Sequence, residues 1–135
     1  AAGENIIPSI TKSSDVVANV LPFIKNKSAS SSMTVPIPDG STVDLTVDIK
    51  NECSIEDINK IISNASATDL KNIIGITYDP IVSSDVVRSS LSGLVDGLAT
   101  MGINNKKIKL IIWFDNGWGY AARIIDTIKK LGQVI

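Results

Sequence analysis

Trp113-Phe114-Asp115-Asn116-Gly117-Trp118-Gly119-Tyr120-Ala121-Ala122-Arg123 is the stretch on which the fold turns. The cluster just before and into it (Ile108, Leu110, Ile111, Ile112, Trp113, Phe114) has the length of a buried strand. From Trp118 to Leu131 the apolar residues recur at helical spacing, so Tyr120, Ile124, Ile125, Ile128 and Leu131 are expected toward the core. Lys129 and Lys130 fall at the C-terminal end, where the helix dipole favours cations. A strand thus runs straight into a helix through Asp115 and Asn116. Side chains at such a junction stand beside the unpaired N–H groups of a helix start, a favoured place for ligands. The carboxamide of Asn116 is both donor and acceptor, and can pair with another carboxamide such as that of a nicotinamide. The plain alternative is that Asp115 caps the helix and Asn116-Gly117 only turns the chain. Two glycines, two tryptophans and a tyrosine in so short a stretch of a chain only 4% aromatic fit either a site or dense packing.

Upstream, Lys107 to Phe114 and Leu94 to Met101 read as two strands joined through Gly102-Ile103-Asn104-Asn105, a hairpin. Asp79 to Gly93 is a long serine-rich loop, and Ile73 to Tyr78 a short buried strand. Ser54 followed by Asp57 is a capping-box-like start for a helix to about Asn64, with Ile55, Ile58, Ile61 and Ile62 at helical spacing. From Thr42 to Lys50 the alternation is clear: Val43, Leu45, Val47 and Ile49 point one way, expected as core, and Thr42, Asp44, Thr46, Asp48 and Lys50 the other. Pro38-Asp39-Gly40-Ser41 is a turn and Met33 to Pro38 a strand. Ser13 or Ser14 is expected to cap a short helix over Asp15 to Lys25 with Val16, Val17, Val20, Leu21 and Ile24 on its apolar face, ended or distorted by Pro22. Helix, strand, strand, helix, three strands and helix, with hairpins dominant, predict an α+β fold: a mixed, largely antiparallel sheet with helices on one face.

A chain of 135 residues, 44% hydrophobic and 20% charged, has the size and composition of one soluble domain. No apolar run reaches a membrane span, and a net charge of -1 gives no case for nucleic acid. The start, AAGENIIPSI, lacks the charged and apolar regions of a signal peptide. It also lacks a Met, which implies a start after processing, cleavage or a boundary. The one cysteine, Cys53, excludes an internal disulfide and fits a reducing, cytoplasmic setting. With no histidine, a Cys–His or Ser–His pair cannot be assembled within the chain, so no catalytic residue is assigned here and no metal site. No Gly-rich phosphate loop occurs.

The opening stretch resembles the last strand and C-terminal helix entrance of phosphorylating glyceraldehyde-3-phosphate dehydrogenases, W-Y-D-N-E-W-G-Y-S-N-R. Three further stretches agree in order and spacing. Asn5-Ile6-Ile7-Pro8-Ser9 resembles the segment leading into the family's S-T-G-A-A. Val35-Pro36-Ile37-Pro38-Asp39-Gly40 and the strand after it resemble its R-V-P-x-P hairpin. Asp79-Pro80-Ile81-Val82-Ser83-Ser84-Asp85 resembles its D-P-I-V-S-S-D loop. The likeness covers essentially the whole chain and corresponds to the final two-fifths or so of a family member.

The resemblance implies that residues 1–135 are the C-terminal portion of a catalytic domain whose dinucleotide-binding part, nucleophilic cysteine and histidine lie elsewhere in an NAD-dependent enzyme. It implies that Asn116 holds the nicotinamide carboxamide, that Tyr120 stands beside that ring, and that Thr11 contacts a phosphate of the substrate or inorganic phosphate. It also implies a homotetramer acting on glyceraldehyde 3-phosphate in glycolysis and gluconeogenesis, with the polar-faced strand Thr42 to Lys50 on the sheet used for subunit contact. Cys53 falls where the family has no catalytic residue and reads as a bystander thiol. Departures are visible. Lys12 replaces a glycine, and Thr34 replaces the arginine of R-V-P, whose bidentate grip on phosphate threonine cannot reproduce. Gly117 replaces the acidic residue of D-N-E-W, and Ala122 the asparagine before Arg123. These leave two alternatives beside the dehydrogenase: a non-catalytic interaction module of the same descent, and a dehydrogenase for another phosphorylated sugar aldehyde.

Overall fold

The computed structural model describes residues 3–133. The expected start after a processing point concerns Ala1 and lies outside them. The chain divides into two compact units, one ending at Pro38 and the other beginning at Asp39, where length alone suggests one domain.

The first unit holds a ribbon of β1 (Ile7–Ser9) and β2 (Ser32–Thr34), antiparallel with Ile7 opposite Thr34 and Ser9 opposite Ser32. Between them lies α1 (Ser13–Val20). Pro22 ends it as expected and opens a separate 3-10 turn, Pro22–Ile24, because a residue without N–H cannot continue the ladder but suits a first turn. The expected serine cap is not formed. Ser13 is already helical, Lys12 occupies the cap position with no side-chain bond, and the Ser14 N–H goes to Ser30 Oγ at 3.2 Å. The strand expected over Met33 to Pro38 stops at Thr34, since Pro36 and Pro38 have no N–H to donate. The apolar face of α1 makes no core either, with Val16, Val17, Val20 and Leu21 exposed.

The second unit is a five-stranded mixed sheet: β3 (Ser41–Asp48), β4 (Ile74–Thr77), β5 (Gly93–Asp96), β6 (Met101–Ile103) and β7 (Lys107–Phe114). The spatial order is β3-β7-β5-β4, with β6 also on β7. Only β4 and β5 run parallel, so the α+β, largely antiparallel reading holds. The helices of this unit are α2 (Ile55–Ala67) and α3 (Asn116–Gly132). Ser54 caps α2 as read, accepting from the Asp57 N–H at 3.1 Å and donating to its carboxylate at 2.8 Å. The innermost apolar side chains are Val86, Val95 and Ile108.

Two further expectations about strands need correction. Leu94 to Met101 is not one strand. From Leu94 to Met101 the chain takes seven steps while β7 takes four, Trp113 to Lys109, so three residues loop out. Asp96 causes this, its Oδ1 accepting from the N–H groups of Leu98 (3.1 Å) and Ala99 (3.0 Å), an Asx turn that competes with the ladder. Asn59 of α2 supports the loop, donating to the Gly97 carbonyl (3.0 Å) and accepting from Thr100 Oγ1 (2.8 Å). The hairpin itself is β6 to β7, turning at Asn104 (φ 52°) and Asn105 (φ 51°), the left-handed pair that such turns demand. Second, the alternation of β3 is real but its apolar side is not core: Val43 is 41% exposed and Leu45 38%. β3 is an edge strand that is only half covered. On its polar side Lys109 pairs with Asp44 at 2.7 Å and Lys107 with Asp48 at 2.6 Å, exposed pairs worth about 0–1 kcal/mol each.

Candidate cofactor site

The end of β7 delivers Asp115 to the start of α3. Its backbone is extended (φ -96°, ψ 112°), its carbonyl accepts the first helical bond from Gly119 at 3.0 Å, and Oδ1 accepts from the Trp118 N–H at 2.7 Å. This is the cap that the plain alternative described. Oδ2 does more, accepting the Arg88 N–H at 2.7 Å. Arg88 has a left-handed backbone (φ 66°), a conformation that costs a non-glycine residue and persists where its surroundings hold it. Asp115 is 5% exposed and so rivets the end of the Asp79 to Gly93 loop to the helix start. The N–H groups of Trp118 and then Arg88 hold its carboxyl below the usual carboxylate range. Burial opposes this, and the Gly117 N–H adds to the lowering.

Two further contacts fix α3. A Cβ on Gly119 would lie 2.7 Å from the Leu91 carbonyl oxygen, so the helix touches the backbone there at a distance only glycine allows. One turn on, Arg123 reaches Ser92 Oγ (3.1 Å) and the Asn72 carbonyl (3.2 Å), and pairs with Asp126 at 2.7 Å. The contacts that seat α3 are therefore those of Gly119 and Arg123, with Ala122 half-buried beside them. This overturns the expectation that Tyr120, Ile124, Ile125, Ile128 and Leu131 point into the core. All five are exposed, Tyr120 at 69%. A helix seated through backbone-close contact at Gly119 turns the rest of its circumference outward.

That orientation decides what the junction offers. Asn116 is the first helical residue, exposed, and its carboxamide has no hydrogen-bond partner among the described residues. Tyr120 lies four residues on, on the same side of the helix. A donor–acceptor pair and an aromatic ring thus stand together on a capped, tied helix, which suits a flat ligand bearing its own carboxamide. Thr11 belongs to the first unit, just before α1, where its Oγ1 accepts the Ser13 N–H (3.2 Å) and bonds the Ser13 hydroxyl (2.6 Å), the geometry of a pre-helix hydroxyl. Cys53 is half-buried between β3 and α2, its N–H held by the Asn105 carbonyl at 2.9 Å. No group of histidine, cysteine or acidic residues with metal-binding geometry occurs among the described residues.

Sequence reasoning did not find the buried polar set Asn59, Asp96 and Thr100, nor Arg88 as the partner of Asp115. The first had a signal in Asp96-Gly97 inside a supposed strand. The second had none, because the pair is 27 residues apart.

The second unit is thus an α+β sheet unit whose strand-to-helix junction is capped by Asp115 and leaves Asn116 exposed. The model of the glyceraldehyde 3-phosphate dehydrogenase C-terminal domain matches residues 1–116, and the chain belongs to that family. It is 47% identical over 133 residues to glyceraldehyde-3-phosphate dehydrogenase of Borreliella burgdorferi, covering 97% of this chain and 40% of that protein. Against glyceraldehyde-3-phosphate dehydrogenase 2 of Bacillus subtilis the figures are 36% over 131 residues, 97% and 38%. Against the cytosolic glyceraldehyde-3-phosphate dehydrogenase of Ginkgo biloba they are 38% over 134 residues, 99% and 39%. The chain spans about two-fifths of the length of the curated relatives it matches.

Proposed function

We propose that this chain is the C-terminal portion of the catalytic domain of an NAD-dependent glyceraldehyde-3-phosphate dehydrogenase, which oxidises and phosphorylates glyceraldehyde 3-phosphate in the cytoplasm. The dinucleotide-binding part, the nucleophilic cysteine and the histidine come from the rest of the enzyme, so the isolated chain is inactive. One observation carries the reading: the free Asn116 carboxamide at the capped first position of α3, one turn from an outward-facing Tyr120. When bound, NAD supplies the acceptor for the hydride. Asn116 would fix its nicotinamide carboxamide by a reciprocal pair of hydrogen bonds, and Tyr120 would limit the tilt of the ring. Asp115 would keep Asn116 at a constant height. Thr11, with Lys12 as a point charge, would hold phosphate. Thr34 supplies no guanidinium at the position of the family's arginine, which narrows the phosphate contacts the chain can make. The complete enzyme is proposed as a homotetramer, with the polar side of β3 on a subunit-contact sheet.

The test is to join the chain to the part of its open reading frame that precedes it and assay NAD reduction with glyceraldehyde 3-phosphate and phosphate. The expected result is activity, with Asn116→Ala raising KM for NAD about tenfold or more, the worth of the lost pair of hydrogen bonds. A well-folded tetramer without activity would favour the non-catalytic module and sink this reading.

A further inference from the structure

Gly117 follows Asn116 at the start of α3, and Asn116 is the one asparagine of the chain with glycine after it. Three local facts bear on the chemistry of that step. The Asn116 side chain is exposed and has no hydrogen-bond partner among the described residues. A Cβ on Gly117 would meet nothing nearer than Asp115 Oδ1 at 3.6 Å, so the space around the peptide is open. The Asp115 carboxylate ties down the turn that carries the Gly117 nitrogen, the attacking atom in asparagine deamidation, its Oδ1 accepting the Trp118 N–H at 2.7 Å.

We propose that Asn116-Gly117 is a deamidation site and that the Asp115 cap is its latch. The step balances without any oxidant or cofactor. The Gly117 amide loses its proton to solvent base and its nitrogen bonds to Asn116 Cγ. The Cγ–Nδ2 bond breaks, and the departing nitrogen takes up a proton and leaves as ammonia. Water then opens the cyclic imide at either carbonyl, giving aspartate or isoaspartate. Glycine matters because a side chain at position 117 would obstruct ring closure and narrow the backbone angles that bring nitrogen and Cγ together. The folded helix start opposes the step. It holds residue 116 in helical conformation, so reaction requires the first turn to open, and first turns open more readily than helix interiors. The product puts an anionic, acceptor-only group where a carboxamide stood. On the reading of Asn116 as the nicotinamide partner, which this consequence alone rests on, the product loses the donor half of that pair.

The experiment uses the full chain, incubated in warm, mildly alkaline buffer. Peptide masses and isoaspartyl methyltransferase labelling are followed with time, neither of which involves NAD. Position 116 is expected to convert ahead of every other asparagine, and Gly117→Ala to slow it about tenfold or more. Asp115→Ala is expected to speed it severalfold. It is compared with Asn59→Ala, which weakens the same unit away from the helix start and so accounts for general unfolding. Conversion at 116 no faster than elsewhere, or undiminished in Gly117→Ala, overturns the site. An Asp115→Ala rate no higher than that of Asn59→Ala at matched stability overturns the latch. Failure of either leaves the NAD assay above untouched, so the two readings fall separately.

Discussion

Two glycines two positions apart do opposite things at the start of α3. Gly117 faces open space, whereas Gly119 stands against the Leu91 backbone. Gly117→Ala should therefore raise stability by roughly 0.5–1 kcal/mol through helix propensity. Gly119→Ala should lower it by roughly 1–3 kcal/mol, because the atom in the way is backbone and the helix itself must shift. Urea midpoints of the two variants check the pair, and equal effects would mean that α3 is not seated on Leu91. Asp115 adds a pH signature. Its folded pKa lies below the usual carboxylate value, so its stabilisation is complete above that value and is lost as pH falls through the folded pKa. Asp115→Asn should flatten the acid limb of the stability curve in that window. An unchanged limb would assign the acid sensitivity to other carboxylates. That Asp115 caps was legible from its place before a helical pattern, whereas its hold on Arg88 was not, since nothing local in a sequence announces a partner 27 residues away.

At the level of elements, patterns were readable wherever the hydrogen bonding was local. The α2 cap at Ser54, the stop at Pro22 and the alternation along β3 all depend on residues within a few positions of one another, and each is present. The break between β5 and β6 depends instead on Asp96 folding back on Leu98 and Ala99 while Asn59 reaches in from α2. A hydrophobicity pattern cannot see that contest. Asn59→Ala is expected to cost roughly 1–3 kcal/mol, since it removes the donor to the Gly97 carbonyl in a buried setting and leaves the Thr100 hydroxyl only its longer bond to the Asp96 carbonyl at 3.2 Å. Amide exchange should rise over residues 96–100 ahead of the rest of the sheet. Stability within error of the parent chain would mean that water satisfies both groups.

Across the whole molecule the main disagreement between sequence and structure concerns which apolar residues are core. Helical spacing told correctly that Ile124, Ile128 and Leu131 share a side of α3, but spacing cannot say what that side faces. In this chain it faces outward, with Ile128 at 63% exposure, and the contacts of Gly119 and Arg123 carry the attachment. The distinction is measurable. A side chain of this kind taken from a packed interior costs about 2–5 kcal/mol, whereas one taken from an exposed position changes stability by about 0.5 kcal/mol or less. The triple variant Ile124→Gln, Ile128→Gln, Leu131→Gln should therefore unfold in urea at nearly the midpoint of the parent chain. It should also scatter less light at high concentration, because a contiguous apolar stripe in water promotes association. A large drop in the midpoint would restore these residues to the core and would undo the outward placement of Tyr120 with them, since the same rotation of α3 exposes both. The exposure of Tyr120 and the exposure of the stripe are one geometric fact, set by how closely Gly119 lets the helix approach Leu91.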